Sequence, residues 1–485
     1  MIQTFIHSTE NNNFYIYDDQ SRLSMLIHPE LQKAHMGEVD VCLYYSKKYA
    51  YLKEHGFFNK AKHPHFERLK EANVMESIIQ TTQIVFEVTD VCNLKCEYCG
   101  YGDLYQVTDK RNHNKIDVDN AIKLLKYIFD LKIKSNKNKL MIGFYGGEPL
   151  LNIDFIKHIV KEVNQLNLKK NLDIEYSMTT NGTLINRNID FLVSNKVHLV
   201  ISIDGNETNH SYRSWAGSKR NSFKEVIKNI NYIQQNHPIY FEKYVNFISV
   251  LHDRNSVKEI YEYIHTYYQK IPAIIELNTT DIKPNKKERF NKMFCSKRES
   301  ENKYQNETIS KIPATRYETS FFRELIEFVK YFNINHYISN KVSLFNHDEK
   351  FFPTGTCLPF SLKIFLTTQN KLLPCEKINF KYALGSIDKN IQLNIQEITK
   401  KYNNYFDHSI KICQDCYNYK FCGACVFHFD NLDKLETEDL ICAYFQDQQS
   451  FGECLRRKFS FFEQNPNDFF HILESVGNLN KDTTI

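Results

Sequence analysis

Between residues 82 and 277 the chain alternates strand-length runs rich in apolar and β-branched residues with longer segments whose apolar side chains recur at helical spacing. The strand-like runs are 82–88 (TQIVFEV), 140–145 (LMIGFY), 173–179 (DIEYSMT), 197–203 (VHLVISI), 244–251 (YVNFISVL) and 273–277 (AIIEL). Segments 117–132, 153–168, 222–235 and 256–269 carry the helical pattern. Each period matches one kind of element. Strands that alternate with helices build a parallel sheet, open and doubly wound or curled into a barrel or partial barrel. Function then belongs at the carboxyl ends of the strands.

A chain of 485 residues, 42% hydrophobic, can bury a sizeable core and divide into two or three domains. Its formal net charge of +4, with both signs interspersed, does not favour nucleic acid as a partner. The first residues lack the basic start and apolar core of a secretory signal, and no apolar run reaches the roughly 18 residues of a membrane span. A cytoplasmic location, with no membrane partner, is expected. In a reducing compartment the thirteen cysteines point to metal binding rather than disulfides. Ten fall into two groups, and Cys42, Cys295 and Cys454 stand apart as expected buried, unreactive thiols.

The first group follows strand 82–88 directly, as Cys92, Cys96 and Cys99 in CxxxCxxC spacing. Three thiolates in one loop can hold three corners of a [4Fe-4S] cube and leave the fourth iron open to chelate a small molecule. Zinc is the competing reading, but no fourth Cys or His stands beside the triplet at zinc-finger spacing. Strand 140–145 runs into Gly146-Gly147-Glu148-Pro149, whose paired glycines let backbone approach a ligand. Strand 173–179 leads to Thr180-Asn181-Gly182, and Asp204-Gly205 follow Ser202 at the end of 197–203. Four successive strands thus end in small or polar residues on one rim.

These four motifs, in this order and after these strands, resemble the radical S-adenosylmethionine (SAM) superfamily. The resemblance implies a partial (β/α)6 TIM-like barrel and a catalytic cluster on Cys92, Cys96 and Cys99 whose open iron binds SAM. Reductive cleavage of SAM would give a 5'-deoxyadenosyl radical that abstracts hydrogen from a substrate. It also implies that Tyr98 lies against the adenine, that Gly146, Gly147 and Glu148 meet the methionine amino end, and that Ser202 and Arg213 contact the ribose or carboxylate. Asn181 joins this set. The bland alternatives are a surface cation for Arg213 and an ordinary Asn-Gly turn at 181.

The second group, Cys413-x2-Cys416-x5-Cys422-x2-Cys425 then Cys442, preceded by Cys357 and Cys375, resembles the SPASM extension of radical SAM enzymes. That resemblance implies two auxiliary [4Fe-4S] clusters, three in all. By order, Cys357, Cys375 and Cys425 serve the first and Cys413, Cys416, Cys422 and Cys442 the second. The zinc-ribbon alternative normally separates its CxxC halves by about 15–20 residues. Here 5 intervene. Seven cysteines leave the first auxiliary cluster a ligand short, open to a substrate thiolate unless Cys454, Cys295 or a carboxylate completes it.

The expected organisation is α/β. An N-terminal α+β module (1–80) able to hold a peptide by strand addition precedes the barrel (81–280). A linker and bridging helix (281–350), the cluster domain (351–445), and a C-terminal helix and tail (446–485) follow. Residues 281–315 read as a solvated loop. Helical patterns at 318–332 and 443–460 are expected to pack around the C-terminal clusters. The resemblance implies a peptide maturase acting on a ribosomally made precursor peptide, with an external reductant such as a flavodoxin or ferredoxin. It would install a thioether or carbon-carbon cross-link or epimerise a residue. A formylglycine-forming sulfatase-type maturase and a non-catalytic iron-sulfur peptide-binding protein are the alternatives.

Overall fold

The computed structural model describes residues 3–19, 21–58, 64–106, 109–305, 320–331, 351–429 and 431–473. Residues 306–319 and 332–350 of the expected linker, and 474–485 of the expected tail, lie outside them. The chain divides into two compact units: Met1–Arg68, Arg316–Thr356 and Asn403–Ile485 in one, Leu69–Thr315 and Cys357–Tyr402 in the other.

The first unit opens with strands β1 (Phe5–Ser8), β2 (Phe14–Asp18) and β3 (Leu23–Leu26), an antiparallel sheet in that order. Helices α1 (Pro29–Met36) and α2 (Leu43–Glu54) follow. Helix α2 forms here because Tyr45, Tyr49 and Leu52, spaced to share one helical face, pack with Ile16, Ile27 and Leu31. Cys42, at the N-terminal end of α2, is exposed rather than buried. Cys295 and Cys454 are half-buried.

The second unit begins with α3 (Glu71–Ile79) and is organised around strands β4 (Gln83–Thr89), β6 (Lys139–Gly146), β7 (Asp173–Thr180), β8 (His198–Ser202), β10 (Val245–Val250) and β11 (Ala273–Ile275). Each pairs in parallel with its neighbour in that sequence. Two short strands, β5 (Leu94–Cys96) and β9 (Arg213–Trp215), form a separate antiparallel pair at the carboxyl rim. Helices α4 (Val118–Leu131), α5 (Ile153–Asn167), α6 (Ile189–Ser194), α7 (Phe223–Asn236), α8 (Pro238–Tyr244) and α9 (Val257–Tyr268) fill the crossovers. In α4 the buried face is Leu124, Leu125, Ile128 and Phe129, each such side chain stabilising by roughly 1.5–3 kcal/mol. Asp117 caps that helix by accepting from the Asn120 amide at 2.9 Å, and Ser256 caps α9 through the Glu259 amide.

Two features depart from the sequence expectation. The polar stretch after β11 is not a plain loop: it forms α10 (Lys287–Met293) and α11 (Lys297–Gln305), with Phe290 and Met293 buried against Leu104 and Leu277. The sheet also continues past β4. Strand β12 (Lys363–Leu366) pairs with β4 in parallel, and β13 (Lys371–Leu373), β14 (Gly385–Ile387) and β15 (Ile391–Gln392) extend it antiparallel to ten strands. The whole is an α/β fold on a large, mostly parallel sheet.

Returning to the first unit, α12 (Ser320–Tyr331) carries Phe322, Leu325, Phe328 and Val329 into a core with Phe5, Tyr17, Tyr417, Phe451 and Leu455. Phe451 and Leu455 belong to α14 (Gln448–Gln464), which follows α13 (Ile395–Cys413).

Candidate active site

The loop after β4 is tied down by its own polar residues. Thr89 Oγ1 donates to the Asn114 carbonyl at 2.8 Å and accepts from the Val91 amide at 3.2 Å. The Asp90 carboxylate accepts from the Asn112 amide and the Asn114 side chain. Cys96 then enters β5, opposite Arg213 in β9, and the Cys99 amide donates to the Cys96 carbonyl at 3.2 Å. All three thiols are half-buried. Burial, with the nearby thiols adding to it, pushes Cys92 up to about 11 and Cys96 up to about 12. Ionising them together needs a cation among them, which an iron cluster supplies. No three Cys, His, Asp or Glu side chains among the described residues converge as the ligands of a single ion would.

The glycines after β6 serve close packing onto this loop. A Cβ on Gly147 would lie 2.0 Å from the Val91 carbonyl oxygen, and one on Gly146 would lie 2.5 Å from that of Thr89. Gly146 also has φ +124°, a region open chiefly to glycine. Glu148 is fully buried and links two strand ends: its carboxylate accepts from Thr180 Oγ1 at 2.8 Å, the Asn181 amide at 2.8 Å and the Leu150 amide at 3.2 Å. Burial pushes it up to about 7 against those three bonds. Asn181 in turn donates to Asn93 Oδ1 at 2.8 Å, with its side-chain nitrogen 3.7 Å from Cys92 Sγ. It is wired to the cysteine loop, which a bare turn would not require.

On the other side of the loop stands a buried ion pair. Arg213 donates through Nε and Nη2 to Asp204, at 2.9 and 3.1 Å, and its guanidinium lies 5.3 Å from the centre of the Tyr98 ring. Arg213 is 7% exposed, so it is no surface cation. Asp204 also accepts from the Tyr98 hydroxyl and the Val250 amide. Burial alone would raise Asp204, but Arg213 and the other donors hold it well below the usual carboxylate range. Tyr98 is stacked on His252 and meets Tyr212 edge-on. Ser202 is buried at the end of β8. The rim thus brings Cys92, Cys96, Cys99, Tyr98, Gly146, Gly147, Glu148, Asn181, Ser202 and Arg213 into one unit. Sequence reading missed Asp204 as Arg213's partner.

With this geometry in view, residues 86–266 match the profile of the Radical SAM superfamily. This segment is a radical SAM domain. A radical SAM domain uses SAM and a [4Fe-4S] cluster, and the chain is an enzyme of the radical SAM class. It is 30% identical over 189 residues to radical SAM cyclopropyl synthase TigE of Paramaledivibacter caminithermalis, covering 38% of each protein. It is 23% identical over 408 residues to a cysteine-type anaerobic sulfatase-maturating enzyme of Clostridium novyi, covering 79% of this chain and 95% of that one. Among solved structures it is similar to native anSMEcpe with bound AdoMet, at 20% identity and TM-score 0.49, over 82% of this chain and all of that one. No helix among the described residues is long and apolar enough to cross a membrane.

Outside the radical SAM domain, four cysteines of the first unit act on one another. Cys413 is pushed up to about 12 by burial and by Cys422, Cys416 and Cys442. Cys416 and Cys442 are each raised by burial and by Cys422. The Gln446 amide donates to Cys416 Sγ and the Ala424 amide to Cys422 Sγ, each at 3.4 Å. Gly355 packs beneath: a Cβ there would lie 1.9 Å from the Cys422 carbonyl oxygen. Cys425 is half-buried in this unit, three residues beyond Cys422. In the other unit, Cys357 is exposed, while Cys375 is half-buried beyond β13 and pushed up to about 11 by burial and by Glu376.

Proposed function

We propose that this radical SAM enzyme is a SPASM-type maturase that modifies a ribosomally made peptide, installing a thioether or carbon-carbon cross-link or epimerising a residue. The observation that carries this reading is the quartet Cys413, Cys416, Cys422 and Cys442 gathered in one unit, with backbone amides donating to Cys416 Sγ and Cys422 Sγ. We assign it to one of two auxiliary [4Fe-4S] clusters, beside a catalytic cluster on Cys92, Cys96 and Cys99. When bound, that cluster and SAM supply a 5'-deoxyadenosyl radical. This chain's residues do the rest. Asp204 holds Arg213 and Tyr98 in place for SAM, and Glu148 fixes the two strand ends that frame the methionine end of the site. The edge strand β3 in the N-terminal module offers unpaired backbone groups to which an extended precursor peptide can add. A flavodoxin or ferredoxin supplies electrons.

A second reading is favoured by the extent of the likeness to the sulfatase-maturating enzyme, 95% of that protein: oxidation of a cysteine or serine side chain to formylglycine. Mass spectrometry of small cysteine-containing peptides encoded beside the gene separates the two. Each is co-expressed with wild-type enzyme and with a Cys92→Ala, Cys96→Ala, Cys99→Ala variant. Loss of two hydrogens per modification with sulfur retained supports a cross-link. Deuterium at an α-carbon supports epimerisation, and loss of sulfur from a cysteine supports formylglycine. No change in any candidate peptide would falsify the peptide reading.

A further inference from the structure

A second polar group lies in the barrel unit, away from the residues just assigned to SAM. Arg111 belongs to the loop between the cysteine triplet and α4. Its Nη2 donates to Glu87 Oε1 at 2.9 Å, and its guanidinium lies 4.0 Å from the centre of the Tyr101 ring. Glu87 sits on β4 with its side chain 2% exposed. Its other oxygen accepts from the Thr368 amide at 3.0 Å and hydroxyl at 3.2 Å, just beyond β12. Tyr101, two residues after Cys99, meets Tyr145 at the end of β6 and Phe380. Its ring position is therefore set by the strand that leads into Gly146 and Gly147.

This arrangement is anchored on one side and unfinished on the other. Both Glu87 oxygens are occupied, but Arg111 Nε and the Tyr101 hydroxyl are buried with no hydrogen-bond partner among the described residues. Buried donors in native proteins are nearly always satisfied, by protein, ordered water or ligand. A plain structural ion pair would use the Arg fork bidentately. Here the fork gives one nitrogen to Glu87 and leaves Nε unused. The two donors belong to side chains stacked on one another, and an acceptor oxygen would satisfy them. Because Glu87 already neutralises Arg111, a second anion would bring a net negative charge to the pair, and a neutral carbonyl is the better match.

We infer that Arg111, fixed by Glu87 and stacked on Tyr101, forms with the Tyr101 hydroxyl a binding site for a backbone amide carbonyl of the substrate. The site rests on the peptide reading above and deepens it, since an amide carbonyl on the rim beside the triplet would hold the peptide chain against the catalytic face.

The test uses reconstituted, SAM-bound enzyme under anaerobic conditions and a blocked tripeptide, N-acetyl-Gly-Cys-Gly N-methylamide, with binding followed by saturation-transfer NMR. Tyr101→Phe removes only the unused hydroxyl, and Arg111→Lys keeps the charge for Glu87 but loses Nε. Each is expected to weaken the tripeptide about five- to tenfold, while acetate fails to displace it. Tyr101→Phe should not lower the melting temperature, because the hydroxyl holds nothing together in the free protein. Equal affinity in wild type and both variants, no binding to wild type, or displacement by acetate overturns the proposal. Its failure is separable from that of the maturase reading. Modified peptide alongside unchanged tripeptide affinity in both variants sinks this site alone, whereas weakened affinity with no modified peptide sinks the reaction and leaves the site.

Discussion

Arg213 and Asp204 form a buried, two-bond ion pair whose side chains are 8% and 0% exposed, and Arg213 stands opposite Cys96 across the β5–β9 pair. The carboxylate thus fixes at once the guanidinium, the Tyr98 ring and the strand pair that carries Cys96. Removing its charge leaves a buried guanidinium unpaired. Asp204→Asn is therefore expected to cost about 3–5 kcal/mol, read as a lower denaturation midpoint. A denaturation midpoint equal to wild type would mean that the pair is not sealed from water.

Gly147 has no room for a methyl group, since the nearest atom to its Cβ position is backbone that cannot swing aside. Gly147→Ala must push the Val91 segment, and with it Cys92. A displacement of about 1 Å near the reacting centre costs about a hundredfold in rate. The expected outcome is loss of the catalytic cluster's iron or, if iron is retained, that loss of SAM cleavage. Normal iron content together with normal 5'-deoxyadenosine production would refute it.

The quartet predicts a pattern of iron loss. Cys413→Ala, Cys416→Ala, Cys422→Ala and Cys442→Ala should each remove the same one cluster's worth of iron, and Cys413→Ala combined with Cys442→Ala no more than either alone. Adding Cys92→Ala should remove a further share. Iron and sulfide per chain in anaerobically reconstituted protein decide this, and additive losses within the quartet would break the assignment.

Much of this was readable in the chain before folding. The runs 140–145 and 173–179 became β6 and β7 almost residue for residue, because β6 carries the near-continuous apolar run of a strand covered on both faces and β7 the alternation of a half-buried one. β12 was not readable: four residues, KIFL, carry no periodicity, and the partner that defines them, β4, lies some 280 residues away in the chain. Nor was the Asp204–Arg213 pair. Ser202 and Arg213 each read as plausible ligand contacts, and only the folded rim brings the carboxylate after β8 against the guanidinium on β9. In α10 the Phe290 and Met293 pair, three residues apart, was the one helical signal in a stretch otherwise dominated by charge.

Glu148 sets one direction of pH dependence. Its carboxyl is raised to about 7 in the fold, above the roughly 4.3 of an unfolded chain. Between those values the native state holds a proton that the unfolded state has released. Stability from this group is present below the unfolded value and falls as pH rises through 7, by about 4 kcal/mol. Glu148→Gln should flatten that part of the profile, and an unchanged slope would show that the three donors outweigh burial.

His7 sets the opposite direction, in the N-terminal module. It sits on β1, 7% exposed, with its ring stacked on Tyr15 at 5.6 Å and 11°. Nε2 is 3.2 Å from Ser24 Oγ on β3, and Nδ1 has no hydrogen-bond partner among the described residues. Burial lowers it from 6.5 to about 4, so the folded module holds the neutral ring while an unfolded chain takes up a proton below 6.5. The unfolded state binds more protons across this window. Stability is therefore full above pH 6.5 and is lost as pH falls toward 4, by about 3 kcal/mol. Hydrogen exchange of the β1 and β2 amides at pH 7, 5.5 and 4.5, corrected for intrinsic rates, should show protection falling with pH in wild type and much less in His7→Phe. Equal losses in the two proteins would assign the acid lability of this sheet to other groups, with the Glu463 carboxylate that accepts from Tyr15 and Asn13 as the first to examine.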